Sequence, residues 1–355
     1  MSSRVGGRVP GITDVARLAA VSVGTVSNVL NNPRKVAPHT LTRVVDAIET
    51  LGFVRNTNAR NLAQGTSQAI GLSLIDISNT LFVDIARGAQ EAAAEAGLNL
   101  LLANADNDFE TQNKNLAFLD GARVDGMLLA PMQDSQASIE RVRRRGRPVV
   151  VINYVSDVQD ACTVLVDNEL VGYLAARHLL DLGRTRIAFV GGSDDLQPVH
   201  LRRAGARRAI EEEAGRISLE ELSTSDLNEA GGRKAGITLA ERPPDTRPDG
   251  VIAVTDLVGA GAIEELYRRG IAVPGDIAVM GCDYNSGAWG GSVPLTTVSM
   301  RGYDIGRESA RLLIEEITSP PAAHIHRTVM LQPDLIERES TVGRPHPARG
   351  KGRGL

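Results

Sequence analysis

The chain has 355 residues, enough for two or three domains, and 42% of them are hydrophobic, enough to bury sizeable cores. No apolar run approaches the roughly 18 residues that span a bilayer, and the opening MSSRVGGRVPG lacks the apolar stretch of an export signal, so the cytoplasm is the expected compartment. The net charge of −4 hides a segregation: residues 1–65 carry 8 Lys/Arg against 3 Asp/Glu and residues 66–340 carry 27 against 40, which puts the phosphate-attracting charge in the front end.

Residues 1–10 read as a disordered lead-in. Residues 11–32, GITDVARLAAVSVGTVSNVLNN, read as two short helices joined by a tight turn. In the first, Ile12, Val15, Ala16 and Ala19 recur at helical spacing and make one apolar face. Ser22 is placed to N-cap the second, its hydroxyl accepting an orphan backbone N–H, and Val26, Val29 and Leu30 form the stripe to be buried. Val23, Gly24, Thr25, Ser27 and Asn28 then face outward, and side chains this short let a helix N-terminus enter a major groove closely. Residues 37–51 read as a third helix with Leu41, Val44, Val45, Ile48 and Leu51 on one face, ended by Gly52. Residues 11–55 are thus expected to form a three-helix head.

The string D-V-A-x-x-A-x-V-S-x-x-T-V-S-x-V-L-N in the first two helices resembles the signature of the LacI/GalR family of bacterial transcription regulators, and the likeness runs from about residue 11 to residue 342. The resemblance implies that Val23, Gly24 and Asn28 reach base edges and that Thr25 and Ser27 touch phosphates, beside the cap Ser22. Residues 56–65 are too few to hold as an isolated helix in water. By resemblance they are a hinge helix, ordered only when DNA and a partner hinge meet it. Leu62 is then the minor-groove wedge and Ala59 the point of close approach, with Asn56 and Arg60 among the DNA contacts. Two positions depart from the family pattern. Ala20 replaces the usual Gly of the turn, which costs backbone energy if its φ is positive, and Arg55 stands where many members have Pro.

From residue 66 to about residue 340, apolar β-type runs alternate with amphipathic helices, the pattern of parallel sheets covered by helices. Strands are predicted near 70–75, 98–103, 126–130 and 149–153 in a first half. A second half repeats the plan near 163–166, 186–190, 250–254 and 277–281. The fold class is therefore α/β: a helix-turn-helix head plus two lobes of doubly wound parallel sheet. By resemblance those lobes are a periplasmic-binding-protein-like (type I) effector and dimerisation domain, with chain crossings near 160, 293 and 325. Such lobes bind ligands at the C-terminal ends of their strands.

Candidate effector residues come from those ends. In the first lobe they are Phe82 in S-N-T-L-F, Asn104 and Asp106 after the second strand, and Asn153 and Tyr154 after the fourth. In the second lobe the resemblance makes Arg202, in L-R-R-A-G, a clamp whose planar fork holds a diol or carboxylate. It makes Asp283, in V-M-G-C-D-Y, an acceptor for ligand hydroxyls or a ring nitrogen. Arg203 reads as a surface charge. Leu227 stands where many sugar-responsive relatives have an aromatic, and Thr255, beside Asp256, where they have Asn. With aromatics only 3% of the chain, stacking on a pyranose would fall to Tyr154, Tyr284 or Trp289. A sugar or sugar derivative is the first expectation for the effector, a nucleoside-like metabolite the second.

No catalytic set assembles. V-G-G-S-D lacks the Lys of a phosphate-binding loop, and no Ser/His/Asp arrangement has strand-turn-helix context, so the chain reads as no enzyme, without cofactor or metal. Cys162 and Cys282 read as buried free thiols, and His324 and His326 as part of a solvated Pro-rich loop. A solute-binding protein would share the two lobes but has no use for the head. The expected partners are double-stranded DNA with a pseudo-palindromic operator, a small-molecule effector and a second copy of the chain, with no membrane. One head reads one half-site, which calls for a homodimer, and residues 341–355 read as a disordered basic tail without the Leu heptads of tetrameric relatives. Whether the effector induces or corepresses depends on which lobe arrangement it prefers.

Overall fold

The computed structural model describes residues 10–53, 67–133, 135–156, 161–213, 215–284, 293–320 and 323–343. The expected lead-in up to residue 9, Arg55, the hinge residues Asn56, Ala59, Arg60 and Leu62, Trp289, and the tail beyond residue 343 lie outside that set. The chain divides into two compact units, residues 1–65 and 66–355.

In the first unit, α1 (Ile12–Leu18), α2 (Val23–Asn31) and α3 (Pro38–Leu51) pack around Val15, Ala16, Ala19, Val26, Val29, Val44 and Ala47. Gly52, at φ +58°, ends α3 in the left-handed conformation that costs glycine least, and Phe53 folds back onto the core. Val45, expected in the buried stripe, is 39% exposed. Each residue turns about 100° around a helix, so a stripe through Val44, Ala47 and Ile48 carries Val45 off the core.

The second unit holds two six-stranded sheets. The first contains β1 (Ala69–Leu74), β2 (Asn99–Asn104), β3 (Met127–Leu129), β4 (Val149–Ile152), β5 (Cys162–Val166) and, from far along the chain, β11 (Thr328–Leu331). Their order is β11-β5-β4-β3-β1-β2, all parallel. The second contains β6 (Arg186–Gly191), β7 (Ser218–Ser223), β8 (Gly250–Ala253), β9 (Ala278–Gly281), β10 (Thr296–Ser299) and β12 (Asp334–Ile336), in the order β12-β10-β9-β8-β6-β7. Only β12 is antiparallel. The central strands are buried on both faces, which is why they read as unbroken Val/Ile/Leu runs.

The chain crossings differ from expectation. The strand at 163–166 was assigned to the second lobe, yet β5 pairs with β4 in the first sheet, Val150 opposite Cys162. Likewise β10 stays in the second sheet and β11 joins the first, so the chain crosses at Asp167, after Ser299 and after Leu331 rather than near 160, 293 and 325. A strand buried on both faces presents the same residues to either sheet, and only the pairing partner distinguishes them. The strands β7, β10, β11 and β12 were not expected. β7 is a half-exposed edge carrying Glu220 and Glu221, and β10 is TTVS, so neither shows the apolar run of a buried strand.

Helices cover both sheets: α4 (Thr80–Glu95), α5 (Phe109–Gly121), α6 (Gln136–Arg143), α7 (Asn168–Asp181), α8 (Gln197–Glu211), α9 (Glu229–Ala240), α10 (Asp256–Arg268) and α11 (Gly302–Thr318), followed by the short α12 (Glu339–Val342). Glycine sets one close approach that matters for the site. A Cβ on Gly172 of α7 would overlap the backbone carbonyl of Arg202, and one on Gly205 of α8 would overlap that of Glu169. The paired glycines let α7 and α8 touch backbone to backbone, which seats Arg202 deep between the helices and the sheet. Among the described residues, no helix is long and apolar enough to cross a membrane.

Candidate DNA-reading face and ligand crevice

The reading face is built at the start of α2. Ser22 caps the helix as expected: its Oγ accepts the Thr25 N–H at 3.1 Å and lies 2.9 Å from Thr25 Oγ1. Val23, Gly24 and Asn28 are exposed, the last one helical turn beyond Gly24 on the same face. Thr25 and Ser27 are half-buried, and Ser27 Oγ accepts from Asn31 Nδ2 at 3.2 Å. The turn before the cap places Ala20 at φ +50°, the condition under which an Ala there carries a cost. The arrangement presents a slim helix end capped by Ser22 and the exposed amide of Asn28, chemistry suited to phosphates and base edges.

The crevice residues of the second lobe do converge. Asp283, 1% exposed, follows β9 and accepts the Asp256 N–H into Oδ1 at 2.9 Å, so the N-terminus of α10 faces its charge. Asp256 Oδ1 in turn accepts from Thr297 Oγ1 at 2.6 Å and the Asp283 N–H at 3.3 Å. Thr255 caps α10, accepting the Val258 N–H and donating to the Leu227 carbonyl. Leu227 itself covers Gly192. Cys282 lies among Arg202, Asp256 and Asp283, and burial pushes its thiol up to about 12, leaving it an inert neutral filler.

Arg202 is 4% exposed and held by protein on three sides: Nε donates to Asn168 Oδ1 at 3.0 Å, one terminal nitrogen to the Val254 carbonyl at 2.6 Å, the other to Met300 Sδ at 3.4 Å. Asn168 passes the chain on, donating through Nδ2 to Asn153 Oδ1 at 2.9 Å. Asn153 follows β4 at φ +49°, so this relay runs from the second lobe into the first. Arg203, expected on the surface, is 5% exposed: it donates to the Gly192 carbonyl at 2.8 Å, pairs with Asp194 and Glu221, and lies 5.3 Å from the Phe189 ring centre.

The first-lobe candidates are less uniform. Asn104 is committed to the fold, its Oδ1 accepting the Ile77 N–H at 3.0 Å. Asp106 is exposed at φ +54°, while Phe82 and Tyr154 are half-buried against their lobe's cores. The Tyr284 ring lies against Arg338, 5.4 Å away. Two contacts across the lobes had no place in the sequence reading. Asn79 Nδ2 donates to Asp283 Oδ2 at 2.8 Å, and Gln197 exchanges two hydrogen bonds with the Val155 backbone, at 2.6 and 3.1 Å. Asn79 shows as the N-cap of α4, but nothing local points to its partner 204 residues away. Outside the crevice, His324 is not solvated: its side chain is 5% exposed and abuts Cys162.

Residues 11–56 match the family model described as bacterial regulatory proteins, lacI family, and residues 176–341 that of the periplasmic binding protein-like domain. The ribose operon repressor of Escherichia coli (strain K12) is 33% identical over 328 residues, covering 92% of this chain and 98% of the relative. Among solved structures, a LacI family transcriptional regulator from Silicibacter pomeroyi superposes with TM-score 0.79 at 26% identity, covering 94% of this chain and all of that one. A LacI family transcriptional regulator from Enterococcus faecium with bound ribose gives 0.69 at 28% identity, covering 78% of this chain and all of that one.

Proposed function

This chain belongs to the lacI family of bacterial regulatory proteins, and from that membership we propose that it is a ligand-controlled repressor whose effector is a small sugar of about pentose size. A homodimer places two copies of α2 on the half-sites of a pseudo-palindromic operator, with Val23, Gly24 and Asn28 at base edges. The ligand enters between the lobes and biases their arrangement, and operator affinity follows by linkage. The reading gives the chain no catalytic step.

The observation that carries the effector class is the polarity of the crevice floor. Asp283 with Asn79, Thr297 and the Arg202–Asn168–Asn153 relay supply donors and acceptors in a buried setting, while the wall position is Leu227 rather than an aromatic. A pyranose presents a broad apolar face that aromatic rings cover; a smaller, densely hydroxylated sugar depends more on such polar anchors. The E. coli ribose operon repressor and the E. faecium regulator with bound ribose support this reading by name and by fold. The test is a thermal-shift screen of pentoses, hexoses and nucleosides on the whole protein, followed by binding to DNA selected from a random pool with and without the hit. A pentose that raises the melting temperature and changes affinity for the selected DNA bears the proposal out. Stabilisation by nucleosides alone overturns the effector class, and failure to select any DNA overturns the regulator.

A further inference from the structure

We propose that Cys162, His324 and His326 form a zinc site at the edge where the strands of the first sheet begin, with the Glu316 carboxylate standing beside His326. Cys162 opens β5, the two histidines lie just before β11, and Glu316 sits near the end of α11. Cys162 Sγ is 3.2 Å from His324 Nε2 and 3.9 Å from His326 Nδ1, and the three ligand atoms all lie within 4.8 Å of one another. With Zn–S near 2.3 Å and Zn–N near 2.0 Å, tetrahedral geometry puts sulfur and nitrogen roughly 3.5 Å apart, between the two observed spacings.

A thiol–imidazole hydrogen bond would explain one of these contacts but not the rest of the cluster. Glu316 Oε2 and His324 Nδ1 are both buried and make no hydrogen bond. Glu316 Oε1 takes both terminal nitrogens of Arg143 at 3.2 Å, which fixes the carboxylate and leaves Oε2 turned toward His326 Nδ1, 3.9 Å away. Behind His324, Glu315 Oε1 stands 3.4 Å from Nδ1, the place of a carboxylate that holds the proton on the far nitrogen and leaves Nε2 to the metal. One thiolate and two imidazoles form a borderline donor set that suits zinc better than magnesium or calcium. Loading through His326 Nδ1 moves that ring's proton to Nε2. The 3.3 Å contact from Arg143 to Nε2 must then give way, while the Arg143–Glu316 pair remains.

The ion would clip three elements that converge at this edge: the start of β5, the segment entering β11 and the last turn of α11. Strands of the first sheet run from this edge toward the crevice, so the site is separate from the effector residues. The experiment takes the whole protein, strips it with a chelator and titrates it with Zn(II), then with Co(II) as a spectroscopic probe. One metal per chain, a thiolate-to-cobalt charge-transfer band and a higher melting temperature with zinc are expected. Cys162→Ser should lose the band while Cys282→Ser keeps it. Should Cys162→Ser not fold, His324→Gln and His326→Gln, on a connecting segment, decide instead, each lowering zinc affinity at least tenfold with an unchanged far-ultraviolet spectrum. Absence of stoichiometric binding, or a band that survives Cys162→Ser in folded protein or both histidine changes, overturns the site.

Discussion

Asn79 Nδ2 donates to Asp283 Oδ2 at 2.8 Å, tying the cap of the first lobe's α4 to the carboxylate on the crevice floor of the second. The other oxygen of Asp283 already holds the Asp256 N–H, so a ligand hydroxyl that binds this carboxylate competes with Asn79 for Oδ2. In the proposed reading, ligand binding and lobe contact would meet at this one oxygen atom.

Asn79→Asp keeps the α4 cap but sets two carboxylates face to face. The lobes should move apart, raising the radius of gyration in small-angle scattering, while the melting temperature changes little because Asp caps as well as Asn. An unchanged radius would show that this hydrogen bond does not hold the lobes.

Asn28→Ala removes the exposed amide of the reading face. Operator binding should weaken by about 1–3 kcal/mol and preference should relax at one base pair per half-site, read by selection from random DNA. Unaltered sequence preference would remove Asn28 from the base readers.

Ala20 lies at φ +50°, where a Cβ is strained and glycine is not. Ala20→Gly trades that strain for a more flexible unfolded chain and should stabilise the head by roughly 0.5–1 kcal/mol net. Slower native-state hydrogen exchange at the amides of Val15 and Val26 in the whole protein is the measurement. Faster exchange would contradict it.

His178 is buried in α7 with Nε2 2.8 Å from Thr341 Oγ1, and burial pushes its imidazole below the ordinary range, outweighing the nearby Glu337 and Asp181 carboxylates. A lowered pKa in the folded state means that the unfolded chain binds the proton more readily. The contribution to stability is full above the unfolded value of about 6.5 and is lost as pH falls through it toward the folded value. The denaturation midpoint should drop between about pH 7 and pH 5. His178→Gln should flatten that slope, and an equal slope in the variant would assign the dependence to other groups.

How much was legible follows from the range of each signal. Helix caps and turns are local: Ser22, Gly52 and the alternation of apolar runs with helices could be read because each depends on residues within a few positions. Arg203 reads as a surface charge because a guanidinium beside a second arginine looks solvated until Gly192, Phe189 and Glu221 close over it from other elements. His324 was misread for the same reason, since Cys162 lies 162 residues earlier.

The sequence by itself determined the three-helix head, the outward set on α2, the α/β body and the strand ends from which the crevice is drawn, because periodicity, capping and apolar runs act over one helix or strand. Only the tertiary structure decided which sheet took β5, β10 and β11, that Asn79 meets Asp283, and that a cysteine and two histidines lie within 4.8 Å of one another. Those outcomes depend on pairing between segments buried alike and far apart in the chain, where many partners are chemically equivalent and packing alone selects one.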